Sequence, residues 1–140
     1  MILIIGQAPP ANKQEVPYDS TMLYSWLKEC GISKEESQKM FIFDAVYDKF
    51  PGIQLTGGHK IPTRKQMDDY WDRELETKIQ GVEKVWLLGN VSKDYFWSKP
   101  KTWSCNLEIL ETIHPSKYNL KRYQDNKEQI IKEIKQFIWK

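Results

Sequence analysis

The chain has 140 residues, 40% hydrophobic and 13% aromatic, with a formal net charge of +2. That length suits a single domain (1–140) with one core, that composition excludes a disordered chain, and no apolar run nears the ~18 residues that cross a bilayer. Strand-like residues begin at Ile2, leaving no basic stretch for a signal peptide. The expectation is therefore a cytoplasmic protein, with a charge that permits a polyanion partner without requiring one.

Residues 1–5 read as a first strand that runs into "GQAPP". A helix follows over about 20–30, where Met22, Leu23, Trp26, Leu27 and Cys30 form one stripe and Gly31 sits just past the end. Ser33 and Glu36 make a capping box that opens a short helix, and "MFIFDAV" (40–46) is a second strand. A long loop covers 47–62. Thr63 and Gln66 make another capping box, before a helix with Met67, Tyr70, Trp71, Leu75 and Ile79 on one face and Gly81 at its end. "KVWLLG" (84–89) is the third strand, followed by a short helix near 91–96 and a Pro/Trp loop over 98–106. "LEILETI" (107–113) is the fourth strand and ends at His114. The last helix starts near Asp125 and buries Ile130, Ile131, Ile134, Phe137 and Ile138. Trp26 and Trp71 fall on core faces, whereas Trp97 and Trp103 fall in a loop and are expected at the surface. Cys30 and Cys105 match no metal-ligand spacing and are expected as buried thiols.

Strands alternating with helices predict an α/β fold: a central four-stranded parallel sheet between two helical layers. Ligands of such sheets bind beyond the carboxyl ends of the strands. Those ends carry the 6–10 loop, Asp44, Gly89 with Asn90, and His114 with Pro115 and Ser116. A glycine after a strand lets the backbone turn or approach a ligand, and two prolines stiffen the loop. This fits a rigid turn as well as a pocket wall. A carboxylate in an apolar strand is costly unless it is paired or sits at an open end, so Asp44 either caps a neighbouring loop or faces a ligand. "GGHKIPTRK" (57–65) and "HPSKYNLKR" (114–122) hold Lys60, Arg64, Lys65, Lys117, Lys121 and Arg122 and no acid. They read as solvated loops or as phosphate-contacting ones.

"GQAPP" after the first strand and "HPS" after the last together resemble the two signature motifs of the uracil-DNA glycosylase superfamily. "FDAVYDKFPG", the Pro17–Tyr18 pair and "VWLLGN" fall where its G-E-A-P-G branch has counterparts, so the resemblance covers most of 1–125. It implies a uracil-DNA glycosylase-like fold, a flipped base as substrate and DNA as partner; a monomer is the default expectation. By this resemblance Gly6, Gln7, Ala8, Pro9 and Pro10 hold the hydrolytic water and line the pocket. Tyr18 is the platform on which the base stacks, Asp44 reads the base, and Asn90 lies at the pocket beside Gly89. His114 donates to uracil O2 as negative charge develops there. Pro115 and Ser116 press on the DNA backbone; by location alone, Lys117, Asn119, Lys121 and Lys60 are phosphate contacts.

Three departures carry consequences. Gln7 and Ala8 stand where superfamily branches place a carboxylate, so water activation falls to another acid, with Glu15 and Asp19 as candidates, or is done without. Asp44 stands where Asn is usual; an ionised carboxylate only accepts hydrogen bonds, which suits a base bearing an exocyclic amine, whereas a protonated one still reads uracil. The G-E-A-P-G branch holds a four-iron, four-sulfur cluster on four cysteines. Here one ligand position is Asp48 and only two cysteines occur, so no metal and no cofactor is expected. The alternative to an enzyme is a nucleobase- or nucleic-acid-binding module of the same fold.

Overall fold

Four five-residue strands form the frame of the chain in a computed structural model that describes residues 1–9, 21–55, 60–116 and 119–140. They are β1 (Ile2–Gly6), β2 (Phe41–Ala45), β3 (Lys84–Leu88) and β4 (Glu108–Thr112). All pair in parallel, in the order β2-β1-β3-β4. Every residue of β1 is buried, as are the last four of β3. Central strands covered on both faces read as continuous apolar runs for this reason. The register sets Ile5 beside Asp44 on one side and Leu87 on the other, and Leu88 beside Thr112.

Side-chain alternation divides the core in two. Ile2, Ile4, Trp86 and Leu88 face α1 (Thr21–Glu29) and α6 (Leu120–Trp139), where they meet Leu23, Trp26, Leu27, Ile134 and Phe137. Leu3, Ile5, Val85 and Leu87 face the opposite layer of α3 (Arg64–Tyr70), α4 (Glu76–Gln80) and α5 (Gly89–Ser98), packing with Trp71, Leu75, Ile79 and Phe96. The short helix α2 (Lys34–Met40) leads into β2. This is the three-layer α/β/α arrangement expected. At the amino end of the sheet the Lys84 ammonium donates to the carbonyls of Phe137 (2.6 Å) and Lys140 (3.3 Å), pinning the last turn of α6. Among the described residues no helix is long and apolar enough to cross a membrane.

Local chemistry explains the helix boundaries. Both expected capping boxes form: Ser33 and Thr63 each accept from the backbone N–H three residues on, and Glu36 and Gln66 accept from the cap N–H. Between α3 and α4 lies a π-helical turn, Trp71–Leu75. Apolar residues spaced four apart drift about 40° per step round a regular α-helix, so Met67, Trp71, Leu75 and Ile79 would walk off the core. The wider turn absorbs one extra residue, and all four stay buried.

Several expectations are corrected. Gly89 starts α5 rather than ending β3, and α6 begins at Leu120 rather than near Asp125. Its extra turn is held by Tyr123, stacked on Trp26 with centroids 5.0 Å apart; Asn126 (φ −125°, ψ 16°) then kinks the helix. Ile130 is only partly buried. Trp103 is buried because it stacks on Phe96 at 4.4 Å and meets Trp71 edge-on. Trp97 lies on α5 rather than in a loop, half exposed, and its indole N–H donates to Glu111. Cys30 is buried as expected, but Cys105 is exposed in the turn before β4. Replacing Thr63 by alanine removes one half of a capping box and is expected to lower unfolding free energy by about 1 kcal/mol; urea denaturation checks this, and an unchanged midpoint would show that α3 does not need its cap.

Candidate functional site

The loops at the carboxyl ends of the strands are built from backbone constraints first. Gly6 pairs with Ala45 and its carbonyl accepts from the Val46 N–H at 2.9 Å. Gln7, Ala8 and Pro9 follow, each half-buried. The Gln7 side-chain amide reaches the Lys60 carbonyl at 3.5 Å, and the Lys60 N–H donates to the Gly52 carbonyl at 2.9 Å. Gly52 has φ +111°, a conformation that glycine adopts without strain. The first loop is thus tied to the segment after β2. Lys60 itself is exposed.

Asp44, the fourth residue of β2, is 6% exposed, and its carboxylate is engaged from three directions. Oδ1 accepts from the Tyr70 hydroxyl at 2.7 Å and from the Ala45 N–H at 2.8 Å; Oδ2 accepts from the Lys78 ammonium at 2.7 Å. Tyr70 precedes the π-helical turn and Lys78 follows it. Eight residues apart on a regular α-helix they would point about 80° apart; the extra residue of the wider turn brings them to one face. Asp44 is therefore paired, with the helical segment beside β2 rather than with a loop that it would cap. Three of its roughly four lone-pair sites are filled, which leaves room for one more donor.

At β3 the chain turns at Gly89 (φ +82°), the first residue of α5, and Asn90 is exposed in its first turn. A β-carbon placed on Gly89 would lie 3.0 Å from His114 Cβ and 3.5 Å from Cδ2. The His114 side chain thus rests against a backbone that has no side chain of its own. After β4, His114 is half-buried, Pro115 buried and Ser116 half-buried. The His114 carbonyl accepts from the Ser116 N–H and from the Asn119 side-chain amide, both at 2.9 Å, and the Asn119 N–H donates to the Ser116 carbonyl at 3.0 Å. Asn119, expected to point at phosphate, turns its amide inward on this loop instead. Lys121 is exposed on the first turn of α6.

The sheet order decides what lies near what. Gly6 and the end of β4 are two strand spacings apart, roughly 9–10 Å, whereas Asp44 and the end of β4 are three apart, roughly 14 Å. The structure brings Gly89 against His114 and ties Gln7 to Lys60. Pro10, Tyr18, Lys117 and the candidate acids Glu15 and Asp19 lie outside the described residues, as does His59.

The donor set does not fit the four-cysteine cluster. The chain has two cysteines, one buried behind α1 and one exposed before β4. Asp48, which the resemblance sets at one ligand position, is ion-paired with Arg73 at 3.4 Å. Among the described residues no three His, Cys, Asp or Glu side chains gather to hold a metal ion.

An open, wholly parallel sheet covered by helices defines an α/β fold, a class whose ligands bind beyond the carboxyl ends of the strands. A model of the Uracil DNA glycosylase superfamily matches residues 1–137, and the chain belongs to that superfamily. No curated protein matches the chain.

Two tyrosines give a pH signature. Burial, and then the Asp44 hydrogen bond, pushes the Tyr70 phenol up; burial, and then Asp68, does the same to Tyr95. Both ionise at higher pH in the folded chain than in the unfolded one. The stability they add is complete below the ordinary phenol value of about 10 and is lost as pH rises from there towards the folded values. Tyr70→Phe is expected to flatten that alkaline loss and to cost about 1.5–3 kcal/mol at pH 7, the range for a bond to a charged acceptor. Urea unfolding between pH 7 and 11 tests both; an alkaline limb unchanged in Tyr70→Phe would refute the Asp44–Tyr70 assignment.

Proposed function

We propose that the protein is a DNA glycosylase acting as a single-domain monomer: it extrudes one base from DNA and hydrolyses its N-glycosidic bond. The reading is supported above all by the two motif loops, which leave the same end of the sheet two strand spacings apart with His114 seated on Gly89. β3 ends between those loops, at Gly89, which brings no side chain of its own.

Extrusion costs a few kcal/mol of stacking, and an aromatic platform, here Tyr18, recovers about 1–3 kcal/mol of it. Bond cleavage leaves positive charge on the sugar and negative charge on the departing base. His114 donates a hydrogen bond to that base, and its benefit is greatest in the transition state. The loop of Gly6, Gln7, Ala8, Pro9 and Pro10 holds the water that adds to the sugar, with Asn90 at the pocket edge. Gln7 orients water but takes no proton from it, since a neutral amide is not a base. Ser116, Lys117, Lys121 and Lys60 contact the phosphate backbone, whereas Pro115, expected to press on it, is buried and shapes the loop from beneath.

Asp44 narrows the choice of base. Its carboxylate accepts from a tyrosine, an ammonium and a backbone N–H, so it presents acceptor capacity alone to a ligand. Uracil O4, itself an acceptor, is disfavoured there, and an amine-bearing edge is favoured. The second reading, a binding module without catalysis, is favoured by one observation: no carboxylate stands at positions 7 and 8.

The deciding assay incubates the protein with single- and double-stranded oligonucleotides carrying uracil, cytosine, hypoxanthine or a modified pyrimidine, then cleaves abasic sites with alkali. Product is expected, reduced about 10²–10³-fold in His114→Ala. Tight binding with no product from any substrate would establish the module instead. Rapid uracil release that Asp44→Asn does not accelerate would refute the assignment of base choice to Asp44.

A further inference from the structure

We propose that Asn119 is a positioning residue for His114, acting through the His114 carbonyl, and not a phosphate contact. The inference rests on the glycosylase reading only for what His114 does, not for how it is held. Asn119 occupies the N-cap of α6, and Asn ranks among the best residues there because its side-chain oxygen accepts from the exposed N–H groups of the first turn. Asn119 makes no such bond. Its side-chain N–H points the other way and donates to the His114 carbonyl at 2.9 Å. The helix forgoes its cap, and the loop gains a strut.

That strut completes a small closed frame. The His114 carbonyl accepts twice, from Asn119 and from the Ser116 N–H, and Asn119 returns its own N–H to the Ser116 carbonyl. With both lone pairs of the carbonyl used, the peptide plane after His114 is set. On the other side a β-carbon on Gly89 would lie 3.0 Å from His114 Cβ, so the glycine leaves the His114 side chain its place. The Asn119 bond orients the His114 backbone, from which that side chain projects. A donor aimed at a leaving base needs this, because misplacement by about 1 Å can cost about 10²-fold in rate.

Two substitutions separate positioning from folding. Asn119→Asp keeps the size and the capping ability but replaces the donor by an acceptor facing the His114 carbonyl; its freed oxygens can cap α6 and favour the positive end of the helix dipole. Asn119→Gly removes the strut at a capping cost of only a few tenths of a kcal/mol. The expected outcome is a melting temperature held or raised in Asn119→Asp and nearly held in Asn119→Gly. With it, kcat falls up to about 10²-fold in both, KM is unchanged, and neither has a further effect in a His114→Ala background. Retained kcat, raised KM alone, or full additivity with His114→Ala would overturn the proposal. A second readout needs no activity. His59 and His114 are the chain's two histidines, so their imidazole proton resonances are assigned by His114→Ala. Both Asn119 variants are expected to move the His114 resonance and its titration midpoint and to leave His59 in place. If the wild type releases no base from any substrate, the glycosylase reading fails, and an unmoved His114 resonance would then separately refute the strut.

Discussion

β1 is hydrogen-bonded along both edges, to β2 and to β3, and this constraint governs the loops at the carboxyl end of the sheet. A strand so held delivers its following loop between the ends of its neighbours. Gly6 leaves the sheet beside Ala45, and the half-buried residues after it are then tied by Gln7 to Lys60. The remaining loops arrange themselves round that fixed point.

The same constraint creates a cost that the helical layer offsets. β2 is an edge strand, yet its Asp44 is buried against α3 and α4. An ionised carboxylate there needs partners, and a phenol, an ammonium and a backbone amide provide them. One helical segment therefore does two things: Trp71, Leu75 and Ile79 fill the core below the sheet, and Tyr70 and Lys78 hold the acid. Packing and polar satisfaction are met by neighbouring positions of one continuous segment, and Tyr70 serves both.

Much of this was legible from residues alone. Strand positions, both capping boxes and the apolar helix faces follow from periodicity and cap chemistry, which are local. The superfamily followed from two short loops in the right order. What escaped was what depends on distant partners. An acid in "FIFDAV" announces that it needs a cation but not which one, so Lys78 was invisible. Gly89 reads as the end of a strand, and nothing local says that an imidazole 25 residues later rests on it. Trp103 looks like a loop residue until Phe96 and Trp71 are seen to enclose it. Asn119, two residues from Lys117 in a basic stretch, invited a phosphate reading because spacing does not report which way an amide turns. Tyr123 seemed to precede the last helix because its reason for being helical, the Trp26 ring, lies nearly a hundred residues earlier.

The wide turn at Trp71–Leu75 has a consequence for how the strand acid and its helix must change together. Tyr70 and Lys78 share a face only because one surplus residue rephases the helix between them. A relative built on the same sheet but with an unbroken α-helix there would swing its counterpart of Lys78 away by about a quarter turn. Such a chain must take its cation from another position or carry a neutral amide in place of Asp44. Helix phase and the charge near the end of β2 are thus physically coupled.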